Sequence, residues 1–269
     1  MKPDITTKER IIDTTWEISY PNENTIYKTT AKVLYSDSRL KENEFLRLGY
    51  DDSNWKYYSR QDENNIKSIY GYWRMNIPVG AKSVIVPSYM LGKEVWLNDE
   101  KIKVTDTLMN LASESKLLSF VVNRKEEKIA VAPFKFTVGT KENQKLASWY
   151  TYGLQQYTGF LEYETSITID DVSSSVFFDL GEVKYMAEVF VNDQSVGARL
   201  WPPFKFDISN TLKQGENKIK IKIGNLIANE MWMKEDMGKL RTWGWRGIPD
   251  LNQYDAGLFG PVKLVFISK

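Results

Sequence analysis

The chain has 269 residues, 42% of them hydrophobic, and its 36 basic and 35 acidic side chains leave a net charge of +1. That length suits one large domain or two ordinary ones, and the charge balance argues against a nucleic-acid or anionic-membrane partner, since both call for a basic excess. Cysteine and histidine are both absent, which excludes disulfides, thiolate or His-ligated metal sites, and Ser-His-Asp or Cys-His catalysis.

Any acid–base chemistry would have to run on carboxylates, Tyr or Lys. No run approaches the ~20 apolar residues that span a bilayer, so no membrane span is expected. The N-terminus, Met1-Lys2-Pro3-Asp4-Ile5-Thr6, lacks the apolar core of a signal peptide. The expectation is therefore a periplasmic or extracellular protein whose signal has been removed, with a cytoplasmic protein as the alternative.

In chain order, residues 20–50 are polar and read as loop-rich. Period-two alternation of β-branched or aromatic residues then predicts strands at 73–77, 84–86, 94–97, 120–122, 128–131 and 135–138. Further strands follow at 163–169, 175–180, 188–191, 218–223 and 262–266. Lys218-Ile219-Lys220-Ile221-Lys222-Ile223 is the cleanest of them, with Ile inward and Lys outward. Turn chemistry falls between the strands at Pro78-Val79-Gly80, Asn98-Asp99-Glu100, Asn192-Asp193-Gln194 and Lys213-Gln214-Gly215-Glu216-Asn217. Helix signals are scarce, so the fold class is all-β.

Three landmarks recur in the same order. Ser53-Asn54-Trp55 answers Ala147-Ser148-Trp149, and the strand at 73–77 answers that at 163–167. Glu94-Val95-Trp96-Leu97-Asn98-Asp99 answers Glu188-Val189-Phe190-Val191-Asn192-Asp193. This predicts two tandem antiparallel β-sandwich domains, 1–142 and 143–269, the second with a Trp-rich loop at 231–256. In both hairpins Asn-Asp suits the positive φ of a tight turn. Glu94 and Glu188 read as fold-stabilising, and the Asp207 carboxylate is placed to accept local backbone N–H bonds.

The segment Val189-Phe190-Val191-Asn192-Asp193-Gln194-Ser195-Val196-Gly197, followed by Trp201-Pro202-Pro203-Phe204-Lys205-Phe206-Asp207-Ile208 and Leu212-Lys213-Gln214-Gly215-Glu216-Asn217, resembles the galactose-binding-like jelly roll of family 2 glycoside hydrolases. Trp-Pro-Pro-Phe and the ending Gly257-Leu258-Phe259-Gly260-Pro261-Val262 are most similar to C-terminal β-sandwiches of family 106 α-L-rhamnosidases. The first half resembles the same domain more loosely, through Asp51-Asp52-Ser53-Asn54-Trp55 and Tyr72-Trp73-Arg74. The resemblance implies a catalytic α/β barrel elsewhere in a full enzyme. Nothing in this chain reads as one, so no catalytic residue is assigned.

The candidate carbohydrate contacts are Trp232, Arg241, Trp243, Trp245, Arg246, Asp250 and Tyr254 in the loop, with Trp149 and Tyr152 upstream. Indole and phenol rings stack on sugar C–H faces, while Arg and Asp bond hydroxyls. Trp201 with Pro202-Pro203 reads as a rigid strand edge or core plug. No cofactor is expected; a structural calcium is compatible with a jelly roll, but no ligand-spaced motif assigns its residues. The expected partner is an oligosaccharide or polysaccharide, with a catalytic glycoside hydrolase domain as a second.

Three functions follow: a non-catalytic carbohydrate-binding or accessory pair, a structural region bracing a barrel, or a hydrolase or lyase using loop carboxylates such as Glu235, Asp236, Asp250 and Asp255.

Overall fold

A computed structural model describes residues 6–28, 31–58, 66–126, 133–227 and 255–268. Strands β1 (Thr6–Ile11) and β2 (Trp16–Ser19) open the chain. Ten follow: β3 (Asn24–Lys28), β4 (Lys32–Ser36), β5 (Lys56–Tyr57), β6 (Tyr70–Asn76), β7 (Ala81–Ile85), β8 (Glu94–Leu97), β9 (Glu100–Lys103), β10 (Leu108–Asn110), β11 (Leu117–Asn123) and β12 (Phe134–Val138). The rest are β13 (Glu142–Gln144), β14 (Phe160–Ile169), β15 (Ser175–Asp179), β16 (Glu182–Lys184), β17 (Met186–Val191), β18 (Gln194–Arg199), β19 (Lys205–Asp207), β20 (Gly215–Gly224), β21 (Gly257–Gly260) and β22 (Lys263–Ser268). One short helix, α1 (Glu42–Phe45), lies between β4 and β5. The strand expected at 128–131 lies outside the described residues.

The chain divides into two units: residues 23–140 with 151–156, called here the first, and residues 1–22, 141–150 and 157–269, the second. The first unit has a six-stranded sheet, β5-β4-β6-β11-β8-β9, and a four-stranded sheet, β10-β7-β12-β3. In the second the sheets run β13-β2-β14-β20-β17-β18 and β1-β22-β15-β19, with β16-β21 as a separate pair. All these ladders are antiparallel.

Two expectations change. The stretch 20–50 is not simply loop, because it supplies β3, β4 and α1. The sequence division at 142/143 placed residues 1–22 with the first half, but β1 pairs along β22 from Thr6↔Ser268 to Ile11↔Lys263, and β2 pairs with β14. Once these strands are counted in the second unit, strand order along the sheets agrees between units: β4-β6-β11-β8-β9 against β2-β14-β20-β17-β18.

Within the first unit Phe120 on β11 stacks with Phe134 on β12 at 5.9 Å, so the two sheets face each other across a core that includes Trp73, Met75, Val84 and Phe136. In the second, Ile219, Ile221 and Ile223 are fully buried, while Lys220 and Lys222 lie over the rings of Phe190 and Phe160 at 4.9 and 4.7 Å on the other face.

β6 departs from simple alternation because both its faces are buried. Trp73 and Met75 belong to the core between the sheets, and Tyr72 and Arg74 lie under the segment from Leu40 to Trp55. Leu46 and Trp55 of that segment form a second hydrophobic cluster with Tyr72, against which Leu34, Tyr70 and Trp96 pack. Arg74 anchors it. Its guanidinium pairs with Asp52 at 2.7 Å and donates to the carbonyls of Phe45, Arg47 and Tyr50. The Asp-Asp-Ser-Asn-Trp motif thus supplies a counter-ion and a ring to hold a cover on the sheet.

The duplicated hairpins do the same structural job twice. Asn98 and Asn192 take φ of 54° and 52°. The Asn98 amide donates to Glu114 O, and its oxygen accepts from the N–H groups of Lys116 and Leu117. The Asn192 amide donates to Thr211 O and Asn217 Oδ1, and its oxygen accepts from the Lys218 N–H. Each Asn therefore ties its hairpin to the start of the next central strand, β11 or β20. Asn192→Ala is expected to lower stability by about 1–3 kcal/mol through the lost hydrogen bonds, read from the urea midpoint. Asn192→Gly should lose nearly as much, because it keeps the backbone conformation but not the amide; full retention in the Gly variant would assign the effect to backbone strain instead. Asp207 behaves as expected, accepting from the Ser209 N–H at 3.0 Å.

Candidate saccharide groove and exposed indole

The sequence-derived candidates divide sharply. Trp232, Arg241, Trp243, Trp245, Arg246, Asp250 and Tyr254 lie outside the described residues. Trp149 is fully buried; its indole N–H donates to Tyr163 Oη at 2.7 Å and its ring lies 5.8 Å from that of Tyr157. Tyr152 is also buried, and its carbonyl accepts the Val79 N–H. Neither ring offers a face to a sugar, which corrects their assignment as contact residues: both are core aromatics. Asp255 accepts the Ser148 hydroxyl, which in turn accepts the Tyr150 N–H, so this carboxylate holds a turn.

For Trp201 the core-plug alternative is corrected, in the opposite direction. It is 71% exposed, and Leu200 beside it is exposed too. The loop carrying them is short and held at both ends. Arg199 Nε donates to Lys205 O at 2.8 Å, and Leu180 N–H donates to the carbonyl of buried Phe204. The indole is therefore presented on a fixed base rather than plugging a core.

In the first unit an open groove of about 470 Å³ is lined by Arg39, Leu40, Lys41, Glu42, Asn43, Trp96 and Lys101. β8 supplies Trp96 and β9 supplies Lys101, cross-strand partners in one hairpin. Arg39 and the cover segment that follows it supply the rest, positioned by the Arg74 anchor and by Leu40 N–H, which donates to Tyr72 Oη. Trp96 packs one side on the Leu46–Trp55–Tyr72 cluster and is half-buried, so part of its ring remains on the groove. Glu42 accepts Arg39 at 2.7 Å through one oxygen and Lys101 at 3.1 Å through the other. Burial pushes the Glu42 carboxyl up, but the two cations outweigh it and hold it below its usual range.

A second open groove, of about 590 Å³ in the second unit, is lined by Glu17, Glu164, Asn192, Asp193, Lys213, Glu216 and Lys218 among others, with no aromatic ring. Glu17 and Glu164 face each other across β2 and β14, and both pair with Lys141.

Among the described residues no group of three or more Asp or Glu side chains is placed to hold a metal ion, and no helix is long and apolar enough to cross a membrane.

Sequence reasoning missed the Trp96 groove. A usable signal was present: the duplicated hairpin carries Trp96 where its counterpart carries Phe190, with Lys101 after the turn.

No family model matches the chain. It is 29% identical over 102 residues to the Formosa agariphila protein named "Putative beta-glucuronidase", a match covering 35% of this chain and 9% of that protein. The chain thus spans about a tenth of the length of that relative. Similar solved structures include the rhamnosidase from Novosphingobium sp. PP1Y, at 12% identity over 98% of this chain and 25% of that one, with a TM-score of 0.34. Another is the Bacteroides uniformis β-glucuronidase, at 11% identity over 97% and 18%, with a TM-score of 0.35. Over part of its length the chain is therefore similar in sequence to a glycoside hydrolase.

Proposed function

We propose that this chain is a non-catalytic carbohydrate-binding or accessory pair of β-sandwiches, of the galactose-binding-like type, serving glycoside hydrolase action on a polysaccharide. The observation that carries the reading is the Trp96 groove. It joins part of an indole ring, a guanidinium, two ammonium groups, a carboxylate and an amide in one open depression. A sugar needs this combination: an apolar surface for C–H groups, and directional donors and acceptors for hydroxyls. The Trp and Arg residues between 232 and 246 belong to the same reading on sequence grounds. A periplasmic or extracellular location is part of the proposal, since polysaccharides are met there.

Calorimetric titration of the whole chain with plant and bacterial polysaccharides should show weak binding. Trp96→Phe should reduce affinity about tenfold if the indole stacks on the ligand. Binding unchanged in that variant would remove the groove from the reading, and turnover of a rhamnose-containing oligosaccharide by the chain would overturn its non-catalytic part.

One observation favours a second reading, in which the sandwiches brace a catalytic domain. Leu200 and Trp201 form an exposed apolar tip, and a tryptophan at the centre of such a patch is a common anchor between proteins. Trp201→Ala should then weaken association with a glycoside hydrolase barrel without changing polysaccharide binding.

A further inference from the structure

We infer that the Trp96 groove takes an acidic saccharide unit, a pyranose bearing a carboxylate or a sulfate. The inference rests on the reading that this groove binds carbohydrate, and it specifies the ligand through the placement of charge. Three cationic side chains line the groove, Arg39, Lys41 and Lys101, against one carboxylate, Glu42. They differ in depth. The Arg39 and Lys41 side chains are 67% and 79% exposed, whereas that of Glu42 is 16% exposed. An approaching ligand therefore meets the cations first.

Glu42 is engaged through both oxygens, by Arg39 and Lys101, so it holds both cations in place, and the lining as a whole stays cationic. Two carboxylates that pair with the lining cations lie outside the lining. Glu94 takes Lys101 at 2.7 Å, and Glu44 takes Lys41 at 3.3 Å in an exposed pair that holds Lys41 only weakly. Arg39 has further guanidinium donors beyond the one on Glu42, in a fork suited to a carboxylate or sulfate. Asn43 adds an amide that can donate to and accept from hydroxyls. A neutral hexose could use the ring and the amide, but only an acidic unit would meet the remaining donors of Arg39 and Lys41 with charge-assisted bonds. The groove of the second unit is a contrast, with Glu17, Glu164, Asp193 and Glu216 against Lys213 and Lys218 and no ring, so of these two grooves it is the one beside Trp96 that joins an aromatic surface to a cationic bias.

The test is affinity electrophoresis and calorimetry of the full chain with polygalacturonate, a sulfated galactan and a neutral glucan, at low and high salt. Binding to at least one acidic polymer should be about tenfold tighter than to the glucan and should weaken with salt, as charge-assisted hydrogen bonds require. The first two polymers separate a carboxylate from a sulfate ligand. The double variant Arg39→Ala/Lys41→Ala alters only exposed side chains, so it should melt near the parent temperature yet lose about tenfold in affinity for the acidic polymer. Equal binding of acidic and neutral polymers, or acidic binding unaffected by the double variant, would overturn the inference. Neutral binding that depends on Trp96, with no preference for acid, would overturn it while leaving the carbohydrate reading standing. Failure to bind any of the polymers would count against both.

Discussion

Arg74→Ala is expected to lower the stability of the chain by about 3–5 kcal/mol, the usual effect of removing one partner of a buried ion pair. The reason is geometric. Arg74 sits on a central strand with its side chain almost wholly buried, and three backbone carbonyls and the Asp52 carboxylate all face it. Tyr50 and Trp55 place their rings 5.6 and 5.8 Å from its guanidinium carbon. Without the arginine, those carbonyls lose the guanidinium donors, Asp52 is left with Lys32 among the described residues, and the segment from Leu40 to Trp55 loses its main polar tie to the sheet.

Arg74→Lys should rescue little, because one ammonium cannot reproduce a planar fork reaching four acceptors. Urea unfolding measures the loss, and limited proteolysis should cut first within residues 40–55. A loss below about 1 kcal/mol would mean the cover is held by its hydrophobic cluster alone. Asp52 adds an acid dependence. Burial pushes its carboxyl up, but Lys32 and Arg74 prevail and leave it below its ordinary value. A depressed folded value stabilises above the unfolded carboxylate range, and that contribution is lost as pH falls through the folded value, so acid should loosen this segment below about pH 4.

The second large effect comes from Lys28. Its ammonium is fully buried on β3 and donates to Gly153 O at 2.6 Å and Gln155 Oε1 at 2.7 Å, both neutral acceptors. Gly153 holds its carbonyl there with φ of +74°, and a Cβ on it would come within 2.6 Å of the Ile77 carbonyl oxygen. Desolvation lowers the Lys28 value from 10.5 to about 7.

The sign follows from proton counts. Below pH 7 both folded and unfolded chains carry the proton, and the folded state bears the whole burial penalty. Between pH 7 and 10.5 only the unfolded state holds it, so stability rises with pH. The slope is about 1.4 kcal/mol per pH unit, and the total over the window is on the order of 5 kcal/mol. Tyr20, buried in the second unit, limits the upper end. Desolvation pushes its phenol well above 10, so above pH 10 it destabilises as the unfolded phenol ionises. The urea midpoint should therefore climb from pH 6.5 to 9, and Lys28→Met should flatten that climb while raising stability at pH 6.5. An unchanged pH profile in the Met variant would exclude Lys28 as its source.

The candidate site was harder to read from sequence than the fold. Trp96, Trp149 and Trp201 are chemically the same residue, and each sits near a turn. Trp149 is sealed by Tyr157 and Tyr163, Trp201 projects from a loop, and Trp96 lies half on a cluster and half on a groove. Exposure is a property of what folds over a side chain, and local sequence carries little of it. Arg39, Lys41 and Lys101 read as ordinary solvated charges until the cover segment and the β8–β9 hairpin bring them around one depression.

Sequence by itself determined what depends on neighbours in the chain. Alternation over two residues specified the Ile219–Ile221–Ile223 face of β20, Asn in a turn specified the positive φ of both hairpins, and the absence of Cys and His removed whole classes of chemistry. Only the tertiary structure decided what depends on distant partners. β1 joins β22 across almost the entire chain, Arg74 meets carbonyls more than twenty residues upstream, and one tryptophan is buried while another is bared. The physical reason is range. Backbone propensity and side-chain period act over a few residues, whereas strand pairing, burial and the sharing of charge are settled when separated segments compete for the same surface.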